Sequence, residues 1–143
     1  MVGSDHAESE AVMQVVVAET TAFWMKDYDA WANCWLQTAD TRRVGWWAPG
    51  GIRITEGWDG LSVSVREAIA NNPIPNPRAV QVRRERVQVR TSDNMAWVTF
   101  EQYGADTGEP DMDMPGLSYE TRILEKHNGQ WKIVYVGWLL AGE

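Results

Sequence analysis

Four charged side chains stand in stretches that are otherwise apolar: Glu19, Glu56, Glu101 and Arg122. A charge in such surroundings either has a structural partner or does chemistry. Arg122 lies mid-way along a strand-like run. A guanidinium there pairs with a buried acid, clamps an anionic ligand, or sits exposed at a sheet edge. Glu101, on the neighbouring strand, is its expected partner, and such a pair on a pocket floor would orient a polar ligand group. Glu19 flanks the apolar face of the first helix, beside Val15, Val16 and Phe23. Desolvation would raise its pKa and make it a base; the plainer reading is a carboxylate that reaches out to water at the border of that face. Glu56 closes a short extended piece before Gly57, and either caps the next helix or looks into a cleft. The catalytic candidates are therefore Glu19, Glu56, Glu101 and Arg122, with a carboxylate as base and Arg122 or an indole N–H as the polarising group.

The chain has nine tryptophans against two phenylalanines. Indole is large and flat and carries one donor, so it suits an apolar wall that must also hold a polar group. Trp24, Trp46, Trp58 and Trp138, with Tyr28 and Tyr103, are the expected wall of a cavity for a flat or lipophilic ligand, and core or interface packing is the alternative for each. Glu56, Glu101 and Arg122 complete the expected ligand-binding set. Met112 and Met114, in a long acidic loop, would form a lid over that cavity or part of a plain surface loop. Cys34 lies between Trp31 and Trp35 in an apolar helix and reads as a small buried hydrophobe. With two histidines, one cysteine and no cluster of either, neither a metal site nor another cofactor is expected. The run Arg83-Arg84-Glu85-Arg86 reads as an exposed, cross-strand-paired sheet face.

These side chains need elements to position them. An apolar face with a period of about 3.6 residues predicts a helix over 8–26, through Val12, Val16 and Phe23. Asp27 or Asp29 caps a second, shorter helix with Trp31 and Trp35 as neighbours on it. Two short extended pieces, 42–47 and 52–56, form a hairpin around Pro49-Gly50-Gly51. Asp59 caps a third helix over about 60–71, with Leu61, Val65, Ala68 and Ile69 on one stripe. The rest is strand. The alternation of Val80 and Val82 slips phase before Val87 and Val89, which predicts a β-bulge near 83–86. Strands over 94–103 and 117–126 follow, then an Asn128-Gly129 turn and a final strand over 131–140.

The expected fold class is α+β: three N-terminal helices packed in the concave face of a strongly curved, mostly antiparallel sheet, a cone-shaped barrel. In the last strand Trp131, Ile133 and Tyr135 point one way by simple alternation, and Val134, Val136 and Trp138 the other. Both faces are then apolar, helices cover only one, and a second copy of the chain is the expected cover of the other: a homodimer through the sheet face.

The 143 residues make one domain, expected over 8–143 behind a disordered polar tail, 1–7. The net charge of −7 repels phosphate backbones and argues against nucleic acid as a partner. No apolar run approaches the roughly 18 residues of a bilayer span, and no apolar stretch follows the start, so no membrane partner and a cytoplasmic location are expected.

Several motifs resemble one family. Tyr119-Glu120-Thr121-Arg122-Ile123-Leu124-Glu125-Lys126 followed by His127-Asn128-Gly129-Gln130-Trp131-Lys132-Ile133-Val134 resembles the penultimate hairpin of SnoaL-like proteins, in the nuclear-transport-factor-2-like superfamily with its cystatin-like α+β cone. Asp27-Tyr28-Asp29-Ala30-Trp31 resembles the junction of that family's first two helices, and Gly57-Trp58-Asp59-Gly60-Leu61 its turn into the third. The resemblance spans about 8–140. It implies a bent sheet wrapped around three helices, frequent dimerisation through the sheet, and a small molecule held inside the cone. The ketosteroid isomerase pattern within this superfamily wants a phenol late in the first helix and an acid on the first strand. Here those places hold Phe23-Trp24 and Arg43-Val44-Gly45-Trp46-Trp47. Histidines frequent on the last strand are replaced by Tyr135 and Gly137. The expected function is a small-molecule-binding domain with an aromatic-lined pocket. An enzymatic version is a cofactor-independent isomerase, dehydratase (a lyase) or hydrolase for a small lipophilic or aromatic compound. The alternative is a non-catalytic interaction or sensory module acting as a homodimer.

Overall fold

In a computed structural model, which describes residues 2–47, 50–77, 82–104 and 116–141, the chain runs α1 (Val2–Trp24), α2 (Tyr28–Asn33), β1 (Arg42–Trp47), β2 (Gly51–Glu56), α3 (Trp58–Asn71), β3 (Arg83–Ser92), β4 (Met95–Tyr103), β5 (Leu117–His127) and β6 (Gln130–Leu140). The expected lid residues Met112 and Met114 lie outside the described residues. Helix α1 begins earlier than its apolar stripe requires, and that stripe, Val12, Val16, Glu19, Thr20 and Ala22, is buried. It ends where Lys26 takes a left-handed conformation and Asp27 N–H returns to the Ala22 carbonyl, a Schellman-type stop. The Asp27 carboxylate then caps α2 by accepting from Ala30 N–H. At α3 the N-cap is Gly57, with no side-chain cap, rather than Asp59, which lies in the first turn.

The six strands form one sheet in the order β2-β1-β6-β5-β4-β3. All neighbours are antiparallel except β1 and β6, which run parallel. The sheet is curled but not closed, so the barrel of the sequence reading is an open one with β2 and β3 as its edges. Asn128 and Gly129, both at positive φ, make the two-residue turn between β5 and β6. The expected bulge in β3 falls between Glu85 and Gln88, with Arg86 at φ 55°.

A second bulge, unforeseen, corrects the reading of β6. Ile123 pairs Tyr135 while Leu124 pairs Ile133, so Val134 is an extra residue. At this point β6 changes partner on its other edge. Ile133 bonds the chain leaving α2, through Cys34 and Leu36, whereas Tyr135 already faces β1. The extra residue shifts the alternation. Trp131, Ile133 and Val136 are buried together and Trp138 packs against them, whereas Leu139 is exposed. The two faces of β6 are thus not both apolar in the way simple alternation implied.

The outer face of the sheet carries an apolar row of its own. Ile52, Trp46, Leu139 and Tyr119 are cross-strand neighbours over four strands. Ile52 is 70%, Leu139 56% and Tyr119 50% exposed. Trp97 and Met95 extend the patch along β4. The inner face meets the helices across Val12, Val16, Trp31, Trp35, Leu61, Val65, Val98, Phe100, Leu124 and Ile133.

Candidate functional site

Alternation on β5 aims Ser118, Glu120, Arg122 and Leu124 at the helices. The first three are polar and buried. Glu120 Oε1 receives Arg122 Nη1 at 2.8 Å, and Glu120 Oε2 receives the Ser118 hydroxyl at 2.6 Å. Both ionic side chains are nearly sealed from solvent, at 4% exposure for Arg122 and 6% for Glu120. The same Nη1 also reaches the carbonyls of Thr121 (3.1 Å) and Gly137 (3.5 Å).

Glu19 comes down from α1. Its distance along the helix from Val12 and Val16 places it on the buried stripe, not at the border of that face. Its Oε2 accepts from Trp31 Nε1 at 3.0 Å, and its Oε1 lies 3.8 Å from Arg122 Nε, an ionic contact longer than a hydrogen bond. Burial pushes the Glu19 carboxyl above its ordinary range, and Arg122 and the Trp31 donor only partly offset this. Trp31 is held by aromatic neighbours: Trp58 stacks on it at 5.5 Å, with Tyr28 and Trp35 each at 5.7 Å.

Two further guanidiniums flank the acids. Arg43, on the inner face of β1, donates to the Ser64 hydroxyl at 3.3 Å, and burial lowers its pKa. Arg84, on the inner face of β3, stands opposite Gln102, which stands opposite Ser118, in one row across three strands. Burial lowers the Arg84 pKa, and the nearby Arg122 charge lowers it further. Phe100 lies beside both arginines, its ring centroid 5.7 Å from the Arg84 guanidinium carbon and 5.4 Å from that of Arg122. The set holds two carboxylates and three guanidiniums. Several of its polar atoms have no hydrogen-bond partner among the described residues: Arg84 Nε and Nη2, Arg122 Nε and Gln102 Oε1.

Of the residues singled out from sequence, the fold brings together Glu19, Arg122, Tyr28, Trp58 and Trp138. Trp138 is the cross-strand partner of Glu120 and lies over Gly45, where a Cβ would come within 1.9 Å of the indole. Others go elsewhere. Glu101 is not the partner of Arg122: the two point to opposite faces, and Glu101 meets Arg86 at 3.5 Å on the outside. Glu56 pairs with Arg42 on the outer face. Trp46 is also on the outer face, and Tyr103 lies there under Arg83 at 4.2 Å. Trp24 sits at the end of α1 against Phe23 and Lys26. The basic run is not one solvated face either, because Arg84 turns inward while Arg83 and Glu85 turn outward.

Glu120, Ser118, Gln102, Arg43 and Arg84 were missed. The available clue was periodic: Ser118, Glu120 and Arg122 share the phase of the apolar Leu124. Cys34 is the inert residue expected, its thiol pushed up to about 11 by burial. Among the described residues no group of three or more His, Cys, Asp or Glu side chains is placed to hold a metal, and no helix is long and apolar enough to cross a membrane. A groove of about 820 Å³ follows Met13, Val17 and Met25 on α1, and one of about 300 Å³ follows Met95, Trp97 and Ile123 on the outer sheet face. Neither reaches the charged cluster.

Residues 12–137 match the model of the family described as the SnoaL-like domain. No curated protein matches the chain. Among solved structures, a Streptomyces avermitilis protein provisionally described as a dehydratase of the NTF2-like family superposes with a TM-score of 0.72 at 18% identity, over 95% of this chain and 97% of that one. A Nostoc punctiforme protein of unknown function with a cystatin-like fold gives 0.69 at 13% identity, over 92% and 89%. An NTF2-like Pseudomonas putida protein of unknown function gives 0.71 at 11% identity, over 94% and 87%. At these identities the likeness is one of fold.

Proposed function

The chain belongs to the SnoaL-like domain family, and on that premise we propose that it binds a small molecule on the inner face of its curled sheet, at the cluster built on Arg122. One observation carries this reading. Charges and polar atoms are buried there without, among the described residues, the full set of partners that a purely structural network would have. Each buried unsatisfied group costs about 1–3 kcal/mol, a cost that a ligand or ordered water would remove.

The chemistry this set supports is cofactor-independent proton transfer, as in an isomerase, dehydratase or hydrolase. Glu19 would take or return the proton, since its raised pKa brings it closer to neutrality. The guanidiniums would stabilise negative charge developing on the substrate. Trp58, Tyr28 and Trp138 would supply the aromatic part of the wall.

The second reading is an interaction module acting as a homodimer, and the outer sheet face favours dimerisation under either one. The row Ile52, Trp46, Leu139, Tyr119 is apolar and exposed, and a second copy laid on it would bury it. Native mass spectrometry tests both parts at once. The expected result is a dimer that carries extra mass released on denaturation, or that takes up small aromatic compounds with quenching of tryptophan fluorescence. A dimer that takes up nothing selects the interaction module. A bare monomer that takes up nothing overturns both.

A further inference from the structure

We propose that the ligand of this site is an anion, a small molecule bearing a carboxylate, and that Arg84 is the residue that grips it. This rests on the small-molecule reading above and narrows it to a chemical class.

Charge balance comes first. Glu19 and Glu120 face Arg43, Arg84 and Arg122 on the inner side of the sheet. With every group ionised the set carries one positive charge too many, and protonation of Glu19 makes the excess larger. A surplus charge beside buried groups favours a counter-charge.

The unspent donors say where that counter-charge belongs. Arg122 gives Nη1 to Glu120 and to two carbonyls, but its Nε has no hydrogen bond. On Arg84, Nε and Nη2 both lack a partner among the described residues, and these lie on one edge of the guanidinium. That edge is the fork that matches the two oxygens of a carboxylate. Gln102, next to Arg84 across the strands, has an unpaired side-chain oxygen, an acceptor that takes no part in holding an anion. Trp35 and Trp131 carry unpaired indole N–H groups as well, but those are neutral.

The surroundings fit a carboxylate on an apolar frame. Phe100 lies beside both guanidiniums, so its ring would carry the ligand's body while the Arg84 fork holds its head. The row Arg84–Gln102–Ser118 is at the end of the sheet where β4 leaves and β5 enters, and not in the sealed middle around Trp31. Arg84 is half-buried, while Arg122 is nearly sealed. Arg84 is therefore the outer of the two forks. Arg122, committed to Glu120, is a positioning residue.

The test uses the full chain at fixed ionic strength, read by calorimetry and tryptophan fluorescence. The probes are aromatic carboxylates of one to three rings and the matching carboxamides, titrated against wild type, Arg84→Gln and Arg84→Lys. The acids are expected to bind and the amides to bind about tenfold or more weakly. Arg84→Gln should remove that preference, and Arg84→Lys should restore part of it, since it keeps the charge and loses the fork. The urea midpoint of Arg84→Gln should stay close to wild type, because Arg84 Nε and Nη2 make no hydrogen bond to the described residues. Amides binding as well as acids would overturn the anion proposal and leave the small-molecule reading standing. Acids binding Arg84→Gln as tightly as wild type, or a large fall in its urea midpoint, would overturn the role of Arg84. Binding of neither series would defeat this proposal together with the reading beneath it.

Discussion

The two faces of β5 are chemically inverted. Inward it presents Ser118, Glu120 and Arg122; outward it presents Tyr119, Thr121 and Ile123. A sheet with one solvated face normally carries its polar residues outside. The inward charges are a poor source of stability, since a buried ion pair often does no better than apolar residues of the same volume. On the function proposed above, they are chemistry held in place by the aromatic packing around Trp31. The outward apolar row has the opposite meaning: among the described residues nothing covers it, and a second copy is the cover proposed above.

The harshest way to break this contrast is from inside. Arg122→Ala leaves Glu120 and Glu19 without their shared cation, and unfolding stability at pH 7 should drop by about 3–5 kcal/mol, read as a lower urea midpoint. A drop below about 1 kcal/mol, the worth of an exposed pair, would mean the cluster is wetter than its burial suggests. From outside, Tyr119→Glu combined with Leu139→Glu puts two like charges at directly paired positions on the apolar row. The dissociation constant of the proposed dimer should rise about 100-fold, near 2.7 kcal/mol, in sedimentation experiments, with the circular dichroism of the monomer unchanged. An unaltered dimer would move the interface off this face.

The mildest effect concerns pH. The folded-state pKa of Glu19 lies above the ordinary 4.5, so the native state holds this proton to higher pH than the unfolded chain does. Its contribution to stability is complete below 4.5 and is lost as pH rises through the folded value. Glu19→Gln keeps the acceptor for Trp31 and cannot ionise. Its stability should therefore gain on wild type as pH is raised from 4.5, whereas parallel curves would show that the Glu19 pKa is the same in the folded and unfolded chain.

Much of the molecule was readable because it depends on short-range pattern. The stripe Val12–Val16 on α1, the Asp27 cap, the stripe Leu61–Val65 on α3, the Asn128-Gly129 turn and the bulge in β3 are local, and the structure has them all. The site was readable only in part. Arg122 was found because an ionised residue interrupts an apolar run. Its partner was misplaced, since pairing with Glu101 requires both side chains on one face and the register puts Val98, not Glu101, beside Arg122. Arg84 was assigned to solvent because a basic run gives no sign of which member turns inward.

The sequence by itself determined the α+β order of elements and the residue types available for chemistry, because periodicity and turn residues act over a few neighbours. Only the tertiary structure decided which charges meet. Register sets that, and in this chain two bulges reset register, one at Arg86 and one at Val134. A single extra residue reverses every side chain beyond it. In β6 this turns Trp138 toward Glu120 and leaves Leu139 for the outer face. The bulge at Val134 arises because β6 leaves the chain after α2 for β1 at that point, a three-way meeting of segments distant in sequence that no local pattern records.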